Sequence, residues 1–545
     1  MLENDRIKVA QGESPCYLLL NQANRHGLVA GASGTGKTVT LKVLAEGFSR
    51  AGVPVFMADV KGDVAGIAQA ADDTPELRER AASLGAEAWQ PQGCPTHLWD
   101  MLGDGGIPVR ITVSDMGPDL LAQLLNLTDV QAGVLSIAFR VADDNGMLII
   151  DLKDLRAMLT YLADHAKEVE AAYGRVSSQS IGAIQRALLT LEDEGGTMFF
   201  GEPALDLNDW LACTADGQGI VNVLAAARLM ASPRIYAMFL LWMLSELYET
   251  LPEVGDAAKP KFVFFFDEAH LLFNNMPREL TDKIVQTVKL IRSKGVGLYF
   301  ISQSPSDIPD EVLAQLSNRI QHGLRAYTPA EQKAVRAAAQ AFRENPAFDA
   351  EQALLEVGTG EALVSFLNEE GQPSVVERAK VLPPECLMAA ASPATLEAVR
   401  AEAAPLMEKY GAAIDRESAY ELINAERAEA AEADALAQEK AALEAERAAF
   451  EKEKAAAEAK AQKEAQRQAD AAAKAAEKEA AREAALAEKE AARAAREAER
   501  EAERAAKAEQ KQREQMTKTV NSVIGQIGRE AGRQLMRGLF GNLRR

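Results

Sequence analysis

Cysteine is scarce. Four residues (Cys16, Cys94, Cys213 and Cys386) are spread through 545 with no C-x-x-C pair. That excludes a disulfide framework or a thiolate zinc site and fits a reducing compartment. Long apolar runs are also missing: Phe262 to Phe266 and Tyr236 to Leu244 fall short of the ~20 residues a bilayer span needs. The first residues, Met1-Leu2-Glu3-Asn4-Asp5-Arg6, lack the charged-then-apolar layout of a signal peptide. A cytoplasmic protein without a transmembrane segment is therefore expected. Positive charge is in deficit, with 60 Lys and Arg against 81 Asp and Glu and a net charge of -21. This argues against whole-surface attraction to nucleic acid, although a locally basic channel is still compatible with it. At 48% apolar, the chain can bury real cores, and its length allows two to four domains.

What is present centres on Gly31-Ala32-Ser33-Gly34-Thr35-Gly36-Lys37-Thr38, which fits G-x-x-x-x-G-K-[ST] at every fixed position. His26 to Ala30 before it reads as a short buried strand, and Val39 to Ala45 after it as the first turns of a helix. In that setting glycines let backbone N–H groups turn inward around a polyphosphate, and the helix N-terminus adds partial positive charge. Lys37 would reach the β- and γ-phosphates, and the Thr38 hydroxyl would ligate Mg²⁺. ATP and Mg²⁺ are thus the expected ligands.

Residues 1–25 read as one or two strands leading into the core. Pro54 to Val60 is a second buried strand ending at Asp59, where a carboxylate can face a ligand at the carboxyl edge of a parallel sheet or simply cap the next turn. Val109 to Val113 reads as another strand. From Pro118 to Glu194 apolar residues recur at three and four, which predicts a helical insertion. The core resumes with the strand Gly219 to Leu224 and an apolar helix from Pro233 to Glu249. Phe262-Val263-Phe264-Phe265-Phe266 is then a strand buried on both faces that delivers Asp267 and Glu268 at its end. Asp267 would hold Mg²⁺, and Glu268 would orient and deprotonate the attacking water. A helix from Pro277 to Lys294 carries Arg292. The strand Val296 to Ser302 ends at Gln303, a candidate γ-phosphate sensor. A short strand within Leu316 to Arg325 follows, and Ala362 to Leu367 reads as the last core strand. Alternating strands and helices predict an α/β fold, a RecA-like P-loop NTPase with a mostly parallel sheet covered on both faces.

After Pro405 proline disappears, and the chain becomes rich in Ala, Glu, Lys, Arg and Gln. Between Glu426 and Gln515 it reads as one long charged helix or weak coiled coil, with Leu436, Leu443 and Phe450 at heptad spacing. A partner protein could dock along it. The end, Val520 to Arg545, has the pattern of a basic amphipathic helix interrupted by glycines. The expected organisation is 1–115 for the first part of the core, 116–215 for the helical insertion and 216–397 for the second part of the core. The charged helix would then cover 398–515 and the basic tail 516–545.

Taken in order, Gly31 to Thr38, Ala58 to Gly62, Phe266 to His270, Ile301 to Pro305 and Ser317 to Ile320 resemble the HerA/FtsK class of P-loop ATPases, its HerA-like branch most closely. The resemblance spans roughly residues 20 to 380. It implies a homo-oligomer, a hexameric ring motor that moves double-stranded DNA. It also implies that Asp59 is the second-strand catalytic carboxylate and that Arg292 reaches into a neighbouring subunit's site, with Arg319 as the other arginine in view. HerA proteins commonly carry an N-terminal β-barrel; with only residues 1–25 before the core strand, none is expected here. The alternative reading is a nucleotide-controlled assembly or scaffold ATPase without DNA translocation.

Overall fold

The computed structural model describes residues 2–479 except 104, 230, 231, 256 and 274–277. Among them is one sheet of thirteen strands. In chain order these are β1 (Leu2–Glu3), β2 (Arg6–Gln11), β3 (Pro15–Leu19), β4 (Gly27–Ala30), β5 (Val55–Asp59), β6 (Thr96–Asp100) and β7 (Ile107–Pro108). β8 (Val221–Ala225), β9 (Phe262–Phe266), β10 (Val296–Ser302), β11 (Asn318–His322), β12 (Glu361–Ser365) and β13 (Glu377–Val381) complete it. The spatial order is β1-β2-β13-β12-β11-β4-β10-β9-β5-β8-β6-β7, with β3 paired to β2. From β11 to β7 every pairing is parallel, whereas β12, β13 and β1 to β3 form an antiparallel end.

Side-chain alternation explains why the central strands read as continuous apolar runs. In β9, Phe262, Phe264 and Phe266 enter one core, and Val263 and Phe265 enter the other. In β5, Phe56 and Ala58 divide from Val55 and Met57 in the same way. The helix Lys37–Arg50 covers one face with Leu41, Val43, Leu44 and Phe48. The helix Pro233–Thr250 and the insertion between β7 and β8 cover the other. The insertion is helical as expected, with Val113–Leu124, Asp129–Asp144, Leu152–Asp164, Ala166–Tyr173 and Ser178–Leu191.

Several expectations need correction. Val109 to Val113 is not a strand. Ile107–Pro108 makes the ladder, and Ile111 forms only a single bridge to Phe200. Thr112 and Asp115 form a capping box that starts the next helix at Val113 and ends the extended stretch. The first 25 residues make three strands, and β13 follows the strand expected to be last. The helix carrying Arg292 runs Arg278–Leu290 and tightens to a 3₁₀ turn at Ile291–Lys294, while Pro277 lies outside the described residues.

Residues Met1–Ile423 form one compact unit and Asn424–Arg545 a second. Composition shifts near 398, but the chain stays with the body further: the Tyr410 ring meets Trp99 edge-on at 5.8 Å, and Ile423 is buried. The helix Ala419–Glu479 contains all three heptad positions, Phe450 being 49% exposed. The continuation to Gln515 and the basic tail 516–545 lie outside the described residues. Among the described residues no helix is long and apolar enough to cross a membrane.

Candidate active site

The phosphate-loop strand, the Gln303 strand, the Asp-Glu strand and the Asp59 strand (β4, β10, β9 and β5) are consecutive neighbours. Register places Ser302 level with Ala30 and Phe300 level with Phe266, so all four strands end at the same edge. Parallel strands therefore bring residues more than 200 positions apart into one site.

The loop itself is held from both sides. The Gly31 N–H donates to the Ser302 carbonyl at 3.2 Å, the Ala32 N–H to Gly323 at 2.9 Å, and the Gly360 N–H to Thr35 at 3.0 Å. Gly34 and Gly36 have φ of +79° and +111°, a region that favours glycine. A Cβ on Gly31 would lie 2.5 Å from the His322 Cβ, so the loop closes directly on the base of that side chain. His322 is fully buried. Its Nδ1 faces the Glu361 carbonyl at 2.9 Å, an acceptor only, so Nδ1 carries the proton and Nε2 accepts from the Thr40 hydroxyl at 2.8 Å. Burial, with Lys37 nearby, lowers its pKa to about 4.

The Lys37 ammonium donates to the Gly31 and Ala32 carbonyls at 2.6 and 3.0 Å. Burial lowers its pKa, against the pull of Glu268 and Asp267. Asp267 and Glu268 are each 8% exposed. Burial and the Glu268 charge push Asp267 up to about 6. Glu268 has φ 49° and ψ 49°, a left-handed conformation costing a non-glycine about 1–2 kcal/mol, and its N–H donates to Asp267 Oδ1 at 2.9 Å. Burial alone would raise the Glu268 pKa, but the Lys61 hydrogen bond and charge outweigh it and the value is lowered. Lys61 Nζ lies 2.7 Å from Glu268 Oε1, while Gln303 Nε2 lies 3.4 Å from Oε2.

Asp59 is at the strand end expected, yet both its oxygens are taken by its own turn. Oδ1 accepts from Gly62 N–H at 2.6 Å and Oδ2 from Ala65 N–H at 2.9 Å. Burial raises its pKa despite those bonds. The turn it ties presents Lys61 to Glu268, a contact that sequence reading did not anticipate; the available signals were its position two residues past a strand-end carboxylate and its place in the Ala58 to Gly62 block.

Arg292 is not brought to its own chain's site. It precedes β10 while Gln303 follows it, so the length of a seven-residue strand, about 20 Å, separates them. There its charge acts on the buried His26. Arg319 is a clamp within the fold, donating to the Leu316 and Leu313 carbonyls at 3.0 Å each.

The donors suit a magnesium nucleotide. Around a Cβ placed on Gly34 there is open space to 4 Å, and Ser33 and Gly34 are exposed. A lysine and glycine-turned backbone match a polyphosphate, and a threonine hydroxyl and a carboxylate are oxygen donors of the kind a hard cation takes.

This fold and site define a P-loop NTPase in which an additional strand, β10, separates the phosphate-loop strand from the Asp-Glu strand. The family model for the helicase HerA-like C-terminal family matches residues 4–485. The chain belongs to that family and is a HerA-like P-loop ATPase. Among solved structures it is similar to the bacterial conjugative coupling protein TrwBdeltaN70 in its unbound monoclinic form, at 15% identity and a TM-score of 0.49 over 72% of this chain and 92% of that one. The plasmid coupling protein TrwB in complex with ADP and Mg²⁺ gives 15% identity and 0.49 over 72% and 93%. VirB4 of Thermoanaerobacter pseudethanolicus gives 16% and 0.43 over 73% and 99%. Comparison with curated protein sequences gives no match.

Proposed function

We propose that this chain hydrolyses ATP within a ring of identical subunits, a hexamer, and uses the cycle to move or remodel double-stranded DNA. The observation that carries the reading is the convergence of Lys37, Asp267, Glu268 and Gln303 on one edge of neighbouring parallel strands, in a chain of the HerA-like helicase family.

In this reading Gly31, Ala32, Ser33, Gly34, Thr35 and Gly36 wrap the phosphates, and Lys37 neutralises the β- and γ-groups. Thr38 and Asp267 would hold Mg²⁺, which when bound supplies charge neutralisation at the phosphate oxygens. Glu268 orients a water and accepts its proton as the water oxygen bonds to the γ-phosphorus and the bond to the bridging oxygen breaks. Gln303, already beside Glu268 Oε2, reports the γ-phosphate to β10. Asp59 serves through the turn that it ties. Arg292 acts on the neighbouring subunit's site, where an arginine supplied in trans is worth roughly 10³–10⁵ in rate. Hydrolysis would then require assembly.

The test is ATP turnover with and without duplex DNA, on a sample whose oligomeric state is measured in parallel. A ring motor gives turnover stimulated by duplex, with salt-sensitive binding. Nucleotide-dependent assembly with turnover indifferent to duplex sinks the translocation reading. It would favour instead an assembly ATPase displaying the long helix, a possibility supported by the exposure of most of Ala419–Glu479 and by the net charge of -21.

A further inference from the structure

Glu268, the candidate base, has neighbours at both carboxylate oxygens. Lys61 Nζ stands 2.7 Å from Oε1, and Gln303 Nε2 and His270 Nδ1 each stand 3.4 Å from Oε2. A base needs an oxygen that can reach the proton it takes, and the tightest of these contacts is the lysine's. The Lys61 side chain is also open to solvent, 53% exposed against 9% for Glu268. Its root is fixed, because Asp59 ties the turn through Gly62 and Ala65 and Gly62 takes a φ of +81°. A flexible four-carbon stem thus swings from a rigid point. Burial first, and then the Lys61 charge, disfavour the Lys37 ammonium. Two cations therefore share the mouth of the loop, an arrangement that a polyanion relieves.

We propose that Lys61 is a latch: it holds Glu268 by their ion pair and transfers to the terminal phosphate of bound ATP, freeing Glu268 to receive the water. No covalent bond changes at Lys61, whose ammonium keeps its three protons and exchanges one anionic acceptor for another. The base is released only when a γ-phosphate is present, which ties its availability to the correct nucleotide. The inference rests on Gly31 to Thr38 being a nucleotide site.

The test is calorimetric titration of the full chain with ADP and with a non-hydrolysable ATP analogue, both with Mg²⁺. Lys61→Met should weaken the analogue about tenfold or more and leave ADP within about twofold, with Lys61→Arg restoring most of the loss. Glu268→Gln removes the competing charge, so it should tighten the analogue, and that gain should vanish in the double variant Glu268→Gln/Lys61→Met. Equal effects of Lys61→Met on both nucleotides, or a Glu268→Gln gain that survives without Lys61, would overturn the latch while keeping the site. Wild-type protein that binds neither nucleotide would overturn both.

Discussion

His322 offers the sharpest physical test of how the phosphate loop is supported. It is neutral and buried, donating from Nδ1 to Glu361 and accepting at Nε2 from Thr40, with its Cβ pressed under Gly31. A histidine normally titrates at 6.5, and this one is held at about 4 by burial. Between those values the unfolded chain binds more protons than the folded one. Stability from His322 is therefore complete above pH 6.5 and is lost as pH falls through about 4. Integrating that difference from pH 8 down to pH 4.5 gives about 2.6 kcal/mol. Carboxylates also respond in this range, and so does His26, likewise held at about 4. The informative quantity is thus the difference between wild type and His322→Gln. Urea unfolding at pH 8 and pH 4.5 should show the wild type losing about 2.6 kcal/mol more than the variant over that step. Equal losses would refute a buried neutral imidazole beneath the loop.

Other outcomes are equally concrete. Lys37→Ala should abolish nucleotide binding by titration while leaving the urea midpoint unchanged, and wild-type turnover in that variant would remove the site assignment. Glu268→Gln should keep nucleotide binding and slow phosphate release by roughly 10²–10⁴; lost binding would contradict its role as base. Chelation with EDTA should stop turnover, and added Mg²⁺ should restore it, followed by the same release assay. Lys42→Met should cost at least about 3 kcal/mol in urea unfolding, because the buried ammonium donates to the Asp63, Leu387, Met388 and Ala389 carbonyls. An unchanged midpoint would mean those carbonyls find other donors.

Local pattern made part of this protein legible. Gly31 to Thr38 is a local device, in which loop, lysine and helix start are contiguous and need no distant residue to be recognised. The central strands were readable because a strand buried on both faces is apolar at every position, as in Phe262 to Phe266. The insertion was readable through its helical period. Less visible was anything set by pairing between distant segments. β6 and β13 were missed because Thr96-His97-Leu98-Trp99-Asp100 and Glu377-Arg378-Ala379-Lys380-Val381 have polar residues whose place in a sheet depends on neighbours far along the chain. Val109 to Val113 failed as a strand because a capping box at Thr112 outweighed β-branched propensity.

The same division runs through the site. Sequence by itself determined that a phosphate loop exists and that an acidic pair ends a buried strand, since both are written in consecutive residues. Only the tertiary structure decided the strand order, which sets Lys61 against Glu268, slides His322 beneath Gly31 and turns Asp59 inward to its own turn. It also set Arg292 at the opposite edge from its own loop and turned the half-buried Arg319 into a clamp. These outcomes depend on where parallel strands end relative to one another, and that is a property of the assembled sheet rather than of any stretch within it.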